Sequence, residues 1–496
     1  PGEWYLDRSA GKLYIWPPSS IHGAEIIMSM LGTTQGTMVQ TNGTKYLEFR
    51  DLTFEMYRFR AIQLGLGDHI MIDGCRIQNT GENAIAISGK NHTVQNCLIR
   101  DIGGTAVYVS GGDRLKLEGN GHRIRNNQIY DFGYWQRIFT PGVWLVDVGA
   151  IVEHNVICKG PHFGIYHTGN NHTIRYNEFY NLCYEVDDSG AIYGGRDWGY
   201  RGNRIEYNFF HNISTVQPAQ IGLFCVYLDD CYSSVDIVGN IFYNIAGRSL
   251  AIGGGRDNLF ENNVIAKSDV VLYMDKRNGL IGQGDPSWDL LAKIQAMNYT
   301  HPPWSVAYPA LAAILNEGWE EAKVPKGNRV IKNISWQTNT WAQGNGLYYL
   351  TSENNVINQD PLFVDESSMN LALQDNSPAY SIPGFVRIPF ELIGLLSTTR
   401  ATRPNPPVGK TGVATNAMLY WAPALDAQSR DIYIGANYNG VLNATAQSPE
   451  FKVRSSATVY KPDSLNVGQT YYWRIDEYNS EDHCLGKGNI WSFTTQ

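Results

Sequence analysis

The carboxylates most able to do chemistry are five aspartates concentrated in two short stretches of the chain: Asp187, Asp188, Asp197, Asp229 and Asp230. Two carboxylates that face each other across a groove can hydrolyse a glycosidic bond, one as proton donor and the other as nucleophile or base. Burial beside other carboxylates raises the pKa of one acid, while a nearby arginine keeps another ionised. The stretches therefore predict an acid–base site.

Other side chains in and near these stretches could bind a substrate. We expect contacts from Arg196, Arg256, Tyr193, Tyr227, His167 and Trp198, together with Asp187, Asp197 and Asp230. Tyrosine rings suit a carbohydrate, because the C–H faces of a sugar stack on aromatic rings and its hydroxyls bond to Asp and His. Each aspartate could alternatively cap backbone groups in a turn.

The stretches belong to a repeat of about 22 residues that begins near residue 47. Its first half reads apolar-x-x-Asn-x-apolar, and successive copies carry Asn127, Asn155, Asn177, Asn208, Asn240 and Asn263, with Cys75 and Cys97 in the same position of earlier copies. Short alternating strands at this interval, with no helix between them, predict a parallel β-helix. Equivalent Asn side chains would stack into a hydrogen-bonded ladder, in which the two cysteines are buried.

The second half of each coil predicts where the acids meet. One column contains Tyr108, Tyr166, Tyr193, Tyr227 and Tyr273. The alignment places Asp229 and Asp230 beside Gly195 and Arg196 of the preceding coil and beside Gly254 and Gly255 of the following coil. Small residues above and below two acids predict a recess. Insertions at 186–189 and 214–220 would bring Asp187 and Asp188 to it, because insertions in solenoids form loops on the binding face.

The predicted fold class is all-β: a right-handed parallel β-helix with a short helical insertion, followed by a small β-sandwich. Residues 1–46 would form an N-terminal β segment or cap, and residues 47–397 the β-helix catalytic domain. Helical spacing at 288–297 and 310–322 places the insertion at about 276–326. Residues 398–407 have the composition of a linker, and the regularly spaced short strands of 405–496 predict the sandwich.

Composition excludes several classes of partner. The net charge is −8, which argues against nucleic acid and anionic membrane surfaces, and no apolar run approaches the roughly 20 residues of a membrane span. Seven cysteines without a C-x-x-C pair predict no zinc site. We expect no metal or cofactor. The chain begins at Pro1 with no Met, which we interpret as processing, and we expect a secreted, periplasmic or cell-surface bacterial protein.

Three stretches resemble parallel β-helix glycoside hydrolases, most nearly glycoside hydrolase family 141. They are Trp4-Tyr5-Leu6-Asp7, Asp188-Ser-Gly-Ala-Ile-Tyr-Gly-Gly-Arg-Asp-Trp198 and Tyr227-Leu-Asp-Asp230, and the resemblance covers roughly residues 1–396. It implies fucosidase- or xylanase-type activity with two catalytic aspartates on neighbouring coils, here Asp188 and Asp229. Such enzymes have more chain ahead of the first stretch. Residues 465–476 resemble fibronectin type III domains, which implies a spacer or adhesion unit.

Two other functions stay open at the level of sequence. A polysaccharide lyase could use Arg196, Arg256, His167 or Tyr227 as base or charge-neutralising group, with Ca²⁺ held by the aspartates. A non-catalytic carbohydrate-binding or adhesion protein would suit the fibronectin-like module. The sugar, exo or endo action, the stereochemical outcome and the oligomeric state are not determined by the sequence.

Overall fold

The computed structural model describes residues 3–17, 19–23, 36–217, 220–277, 280–282 and 285–496. Successive coils stack in parallel and in register, and they build one sheet of 11 strands and one of 19 strands. The larger sheet supplies two of the three faces of the solenoid. The prediction of an all-β parallel β-helix is confirmed.

The three faces are defined by the strands that successive coils contribute. The first face contains Glu48–Arg50, Met71–Asp73, Thr93–Gln95, Arg123–Arg125, Ile151–Glu153, Thr173–Arg175, Asn203–Glu206, Val235–Val238, Leu259–Glu261, Asn328–Ile331 and Leu350–Glu353. The second contains Thr53–Tyr57, Arg76–Thr80, Leu98–Ile102, Gln128–Tyr130, Val156–Gly160, Glu178–Leu182, Phe209–Ile213, Ile334–Trp336 and the first parts of Ile241–Gly253 and Val264–Asp275. The third contains Thr37–Thr41, Arg60–Leu64, Ile85–Ile87, Val107–Val109, Val143–Leu145, Ile165–His167, Ser189–Gly195, Leu223–Asp229, Thr340–Gln343 and the second parts of those two long strands.

The remaining elements precede the coils, interrupt them or follow them in the chain. An antiparallel hairpin of Glu3–Asp7 and Lys12–Trp16 precedes them. The helical insertion consists of a 3₁₀ turn at Pro286–Trp288 and short helices at Leu290–Ala296, Trp304–Ala307, Pro309–Ala312 and Trp319–Ala322. The solenoid ends with the last first-face strand, Leu350–Glu353, after which come the strands Phe363–Asp365 and Asn370–Leu373. Further 3₁₀ turns lie at Leu347–Tyr349, Pro378–Ser381 and Phe390–Leu392. Among the described residues, no helix is long and apolar enough to cross a membrane.

Two sheets form the C-terminal β-sandwich. One contains Thr402–Asn405, Leu419–Ala422 and Val459–Tyr460, and the other Lys410–Val413, Ser429–Gly435, Phe451–Ser455, Thr470–Tyr478, Cys484–Gly486 and Trp491–Thr495, with the helix Tyr438–Asn443 between strands. Trp421, Trp473 and Trp491 lie in the core between them.

Two details differ from the sequence prediction, and some predicted segments cannot be compared. The helices are shorter than the patterns at 288–297 and 310–322: Asp289 caps the first helix at its start, and Gly318, with a φ of 93°, separates Pro309–Ala312 from Trp319–Ala322. The strand Thr402–Asn405 lies in the predicted linker, and it pairs with Leu419–Ala422. Parts of the predicted N-terminal segment (24–35), of the second loop insertion (218–219) and of the helical insertion (278–279 and 283–284) lie outside the described residues.

Apolar side chains fill the solenoid in columns, one side chain from each coil. On the first face, Ile174, Ile205 and Ile237 occupy equivalent register positions, and each is at most 1% exposed. Burial of such side chains contributes roughly 25 cal/mol per Å² of apolar surface. Because every coil repeats this burial, the stack holds the outward-facing residues in fixed register.

A tight corner turns each coil from the first face to the second. Its first residue has a positive φ, for example 57° at His154, 55° at Tyr176 and 52° at Tyr207. This conformation costs a residue with a side chain about 1–2 kcal/mol. The Asn of the repeat follows directly and points inward. Its amide forms hydrogen bonds with neighbouring coils, and these bonds offset the conformational cost.

The predicted ladder is present and extends beyond the predicted copies. The Oδ1 of Asn177 accepts from the backbone N–H and the side-chain amide of Asn155, at 3.0 and 2.9 Å, and its amide donates to Asn208 Oδ1 and Val152 O. The members are Asn127, Asn155, Asn177, Asn208, Asn240, Asn263, Asn333 and Asn355. Cys97 donates its backbone N–H to Asn127, and both Cys75 and Cys97 are buried.

Replacement of a ladder amide should therefore destabilise the solenoid. We expect Asn177→Ala to lower the free energy of unfolding by about 2–4 kcal/mol, because buried donors and acceptors of two neighbouring coils lose their partners. Thermal unfolding followed by circular dichroism measures the effect. Asn316→Ala, at an exposed position, is the control, and equal midpoints for the two variants would contradict the structural role of the ladder.

Candidate active site

A bend in the third face creates the recess that holds the aspartates. Cys225 and Val226 are adjacent in the chain and both point into the core, whereas a straight strand would turn one of them outward. The outward rings of Phe224 and Tyr227, on either side of this pair, lie 4.1 Å apart. The strand Leu223–Asp229 is therefore bent here, with its outward-facing rings on the inner side of the bend.

Asp229 lies at the end of this bent strand and is 7% exposed. Its Oδ2 accepts from the Tyr193 hydroxyl at 3.1 Å, and its Oδ1 accepts from the backbone N–H of Asp230 at 2.8 Å and faces the Arg277 guanidinium at 3.0 Å. Burial and then the charge of Asp230 raise the pKa of Asp229, Arg277 opposes them, and the result is about 6. This carboxyl therefore gains and loses its proton near pH 6.

Asp188 approaches the same place from the loop of the preceding coil. It is exposed, and its Oδ1 accepts from the Tyr227 hydroxyl at 3.1 Å. The same hydroxyl accepts from Arg277 at 3.3 Å, and Arg277 also contacts Asp229. The two carboxylates are thus joined by one hydroxyl and one guanidinium. The structure brings the predicted pair Asp188 and Asp229 together on neighbouring coils.

Two arginines neutralise Asp230, the acid that follows Asp229 in the chain. Asp230 is 3% exposed, and its Oδ2 accepts from Arg196 Nε at 2.8 Å while its Oδ1 faces Arg277 Nη1 at 3.2 Å. The Arg196 guanidinium also lies 4.8 Å from the ring centre of Trp288 in the helical insertion. Arg196 therefore connects the acid cluster to the wall formed by the insertion.

Asp187, predicted to bind substrate, holds a loop instead. Its carboxylate accepts from the backbone N–H groups of Gln220, Ile221 and Gly222 at 2.8–2.9 Å. Burial opposes its ionisation, but these amides outweigh the burial and lower the pKa of Asp187. The two predicted insertions therefore do meet beside the site, and Asp187 joins them.

Four other predicted residues lie outside the recess. Asp197 is 4% exposed and bonds to the backbone N–H of Gly199, and Trp198 is fully buried against the helical insertion. His167 is fully buried; its Nδ1 bonds to Tyr232 at 2.8 Å, and burial lowers its pKa to about 3. Arg256 donates to backbone carbonyls at the end of the insertion. They support the walls rather than line the recess.

The prediction from sequence missed the central cation of the site, Arg277. Its guanidinium contacts Asp229, Asp230, Asp275 and the Tyr227 hydroxyl. Burial alone would lower the pKa of Arg277, but these carboxylates raise it above its ordinary value. The repeat could have indicated Arg277, because Asp275 occupies the column of Asp229 and Arg277 follows only two residues later.

The predicted register was wrong by one residue in a single coil. Leu228 pairs with Ile252, so the neighbour of Asp229 is Gly253 rather than Gly254. A Cβ at Gly253 would lie 3.1 Å from Asp229 Oδ1, and the predicted small neighbour is therefore real. The shift follows from an irregularity in the long strand between Ile245 and Arg248.

The acids are not arranged as a metal site in the part of the chain that the structure describes. There, no group of three or more His, Cys, Asp or Glu side chains has positions that could hold a metal ion. Arginine supplies the positive charge among these carboxylates.

The two acids Asp229 and Asp187 should give opposite pH dependences of stability. The pKa of Asp229 is about 6 in the folded state and roughly 3.9 in the unfolded state. The folded state therefore binds this proton more tightly, and the wild type should lose up to about 3 kcal/mol relative to Asp229→Asn as pH rises from about 4 to 6.

The stability that Asp187 contributes has the opposite sign. Its pKa is lowered by folding, so its contribution is present above the unfolded pKa and is lost as pH falls. Asp187→Asn should destabilise the chain near pH 7 and approach the wild type in acid. Unfolding midpoints between pH 3 and 7 measure both effects, and parallel curves for the two variants would contradict these surroundings.

Comparison with known proteins bears on the fold. A family model described as a right handed beta helix region matches residues 37–210. A solved structure named "Glycoside hydrolase" aligns with a TM-score of 0.34 and 18% identity over 42% of this chain and 38% of that one, a similarity too low to bear on either fold or function. This chain thus spans well under two thirds of that structure's length. No curated protein matches the chain. The solenoid is a right-handed parallel β-helix.

Proposed function

We propose that the chain is a glycoside hydrolase that acts on a plant- or algal-type polysaccharide or oligosaccharide with fucoside- or xylan-type linkages. The observation that carries this proposal is that Asp188 and Asp229 are linked through the Tyr227 hydroxyl and the Arg277 guanidinium. One carboxyl is exposed and the other is buried with a pKa of about 6. Two carboxyls with different surroundings at one recess are the machinery of glycoside hydrolysis. The resemblance to family 141 suggests the class of sugar.

The surroundings assign a role to each acid. Asp229, with a pKa of about 6, carries a proton in mildly acidic solution and serves as the general acid that protonates the glycosidic oxygen. Asp188 is reached by solvent and serves as the nucleophile or as the base that activates water. Tyr227 orients Asp188 through its hydroxyl, and Tyr193 does the same for Asp229.

The two arginines make this charge pattern possible. Arg277 keeps Asp230 and Asp275 compensated while Asp229 exchanges its proton, and Arg196 holds Asp230 from the other side. Without these cations, the carboxylates of Asp229, Asp230 and Asp275 would repel one another, and this repulsion would favour their protonated forms. Both arginines therefore act by positioning and charge, beside the reacting pair.

The lyase alternative is weaker, because its base must be deprotonated and reach the substrate. Burial and neighbouring acids raise the pKa of Tyr227 and of Tyr193, and carboxylates raise the pKa of Arg277. His167 is neutral but fully buried. The proposal of a non-catalytic binding protein requires the acid pair to be dispensable, which is a direct test.

We also propose a location and a role for the C-terminal unit. A substrate of polymeric carbohydrate is met outside the cell, so we place the chain in the secreted, periplasmic or cell-surface fraction. The β-sandwich, with its resemblance to fibronectin type III domains, would act as a spacer or adhesion unit.

Product analysis tests the proposed reaction. We expect new reducing ends, without absorbance near 235 nm, from at least one polysaccharide among fucose-, xylose- and uronate-containing polymers. Asp188→Asn and Asp229→Asn should each lower the rate by at least about a hundredfold, because acid–base catalysis contributes that much. Addition of a chelator should leave the rate unchanged.

Asp236→Asn is the matched control, since Asp236 lies on the first face and away from the recess. Absorbance near 235 nm that depends on a divalent cation would assign a lyase instead. Undiminished activity in both site variants would disprove the acid pair.

A further inference from the structure

Aromatic side chains continue from the candidate site along the third face towards the N-terminal coils. Tyr108, Trp144, Tyr166 and Tyr193 occupy one register column. Their successive ring centres lie 5.8, 4.9 and 5.5 Å apart. All four are half-buried, so each ring keeps part of its surface open to solvent. We call these four residues the aromatic file.

On the C-terminal side of the site, the column is closed. The residue that follows Tyr227 in the column is Ala251, and the guanidinium of Arg248 covers this gap. It lies 5.0 Å from the ring centre of Phe224 and 4.9 Å from that of Tyr273, and its Nη1 donates to Ile221 O at 3.0 Å. A chain leaving the recess can therefore follow the column only towards the N-terminal coils.

One side of the aromatic file is bounded by a loop with exposed rings. Tyr134 is 60% and Trp135 is 64% exposed. The loop is connected to the site through Phe139, whose ring lies 5.7 Å from Phe163, and Phe163 in turn stacks on Tyr193 at 4.6 Å and 10°. Tyr134 and Trp135 therefore lie in the same loop as Phe139, which contacts the aromatic file through Phe163.

The other side of the aromatic file is bounded by a groove of about 630 Å³, lined by glycines and by side chains of both charges. Its lining includes Ser88, Lys90, Ser110 and Asp147, which follow their third-face strands at the edge that carries Asp229. Glycine is needed at this edge, because a Cβ at Gly111 would lie 2.7 Å from the backbone oxygen of Gly89 in the preceding coil. At about 4.8 Å per coil, the groove begins roughly 15 Å from Asp229.

We propose that the aromatic file and this groove together bind further sugar units of the substrate. The substrate would then be a carbohydrate chain that lies along the solenoid axis, with its reacting bond at the C-terminal end of the bound segment. The rings of the file stack on sugar faces, and the mixed-charge groove bonds to hydroxyls. This inference rests on the proposed function for the chemistry of the ligand, and it adds where the rest of that ligand lies.

Binding to a catalytically silent chain tests the inference apart from the reaction. The full-length double variant Asp188→Asn/Asp229→Asn is run in affinity electrophoresis through arabinoxylan, xyloglucan and fucoidan, and titrated with xylo-oligosaccharides of two to eight units. We expect retardation by at least one polymer and affinity that rises with chain length. Trp144→Ala in the same background should weaken binding of the polymer or longest oligomer at least about tenfold, and leave binding of the shortest oligomer unchanged.

Tyr130→Ala is the matched control, because Tyr130 is a half-buried ring on the second face. The inference is overturned if no polymer retards the double variant, or if Trp144→Ala and Tyr130→Ala weaken binding equally. A loss specific to Trp144→Ala supports it even where product analysis detects no cleavage. In that case the proposed hydrolase fails, and the binding surface stands.

Discussion

The parallel, in-register stacking of coils is the constraint on which the rest of this structure depends. Every backbone group of a strand bonds to the coils before and after it, at a spacing of about 4.8 Å. A residue in one coil therefore has the equivalent residues of its neighbours as its nearest contacts, whatever the length of the loops between. The Asn ladder satisfies the polar groups at one corner of each coil, and the buried columns keep the repeat from slipping.

The same stacking creates an electrostatic problem at the candidate site. Like charges directly opposite each other on adjacent strands destabilise a sheet, and the column of Asp229 also contains Asp275. The structure separates these acids with Gly253 and places Arg277 between their carboxylates. Burial then leaves Asp229 with a raised pKa although a cation touches it. Because burial raises this pKa and Arg277 lowers it, Asp229 is a buried acid that still changes its charge near pH 6.

Several polar residues of the cluster serve the scaffold. Asp187 joins two loops through backbone amides, Arg256 holds the end of the helical insertion, and His167 bonds inside the solenoid. These contacts fix the walls within which Asp188 and Asp229 meet. The walls are asymmetric, since Arg248 closes the column on one side, and the open side contains the aromatic file.

The apolar alternation and the recurrent Asn were enough to predict the repeat, because both report directly on periodic backbone structure. The repeat in turn predicted the β-helix, the tyrosine column and the approach of Asp188 to the coil of Asp229. Other features of the site depend on tertiary contacts. The bend at Cys225 and Val226, where two adjacent side chains both point inward, depends on core packing. The one-residue shift beside Gly253 arises from an irregularity inside a long strand, and Arg277 reaches the acids through a side chain whose direction no spacing reveals. The position of a residue along a solenoid follows from the local repeat of the chain. Its burial, its charge pairing and the direction of its side chain depend instead on the packing of the neighbouring coils.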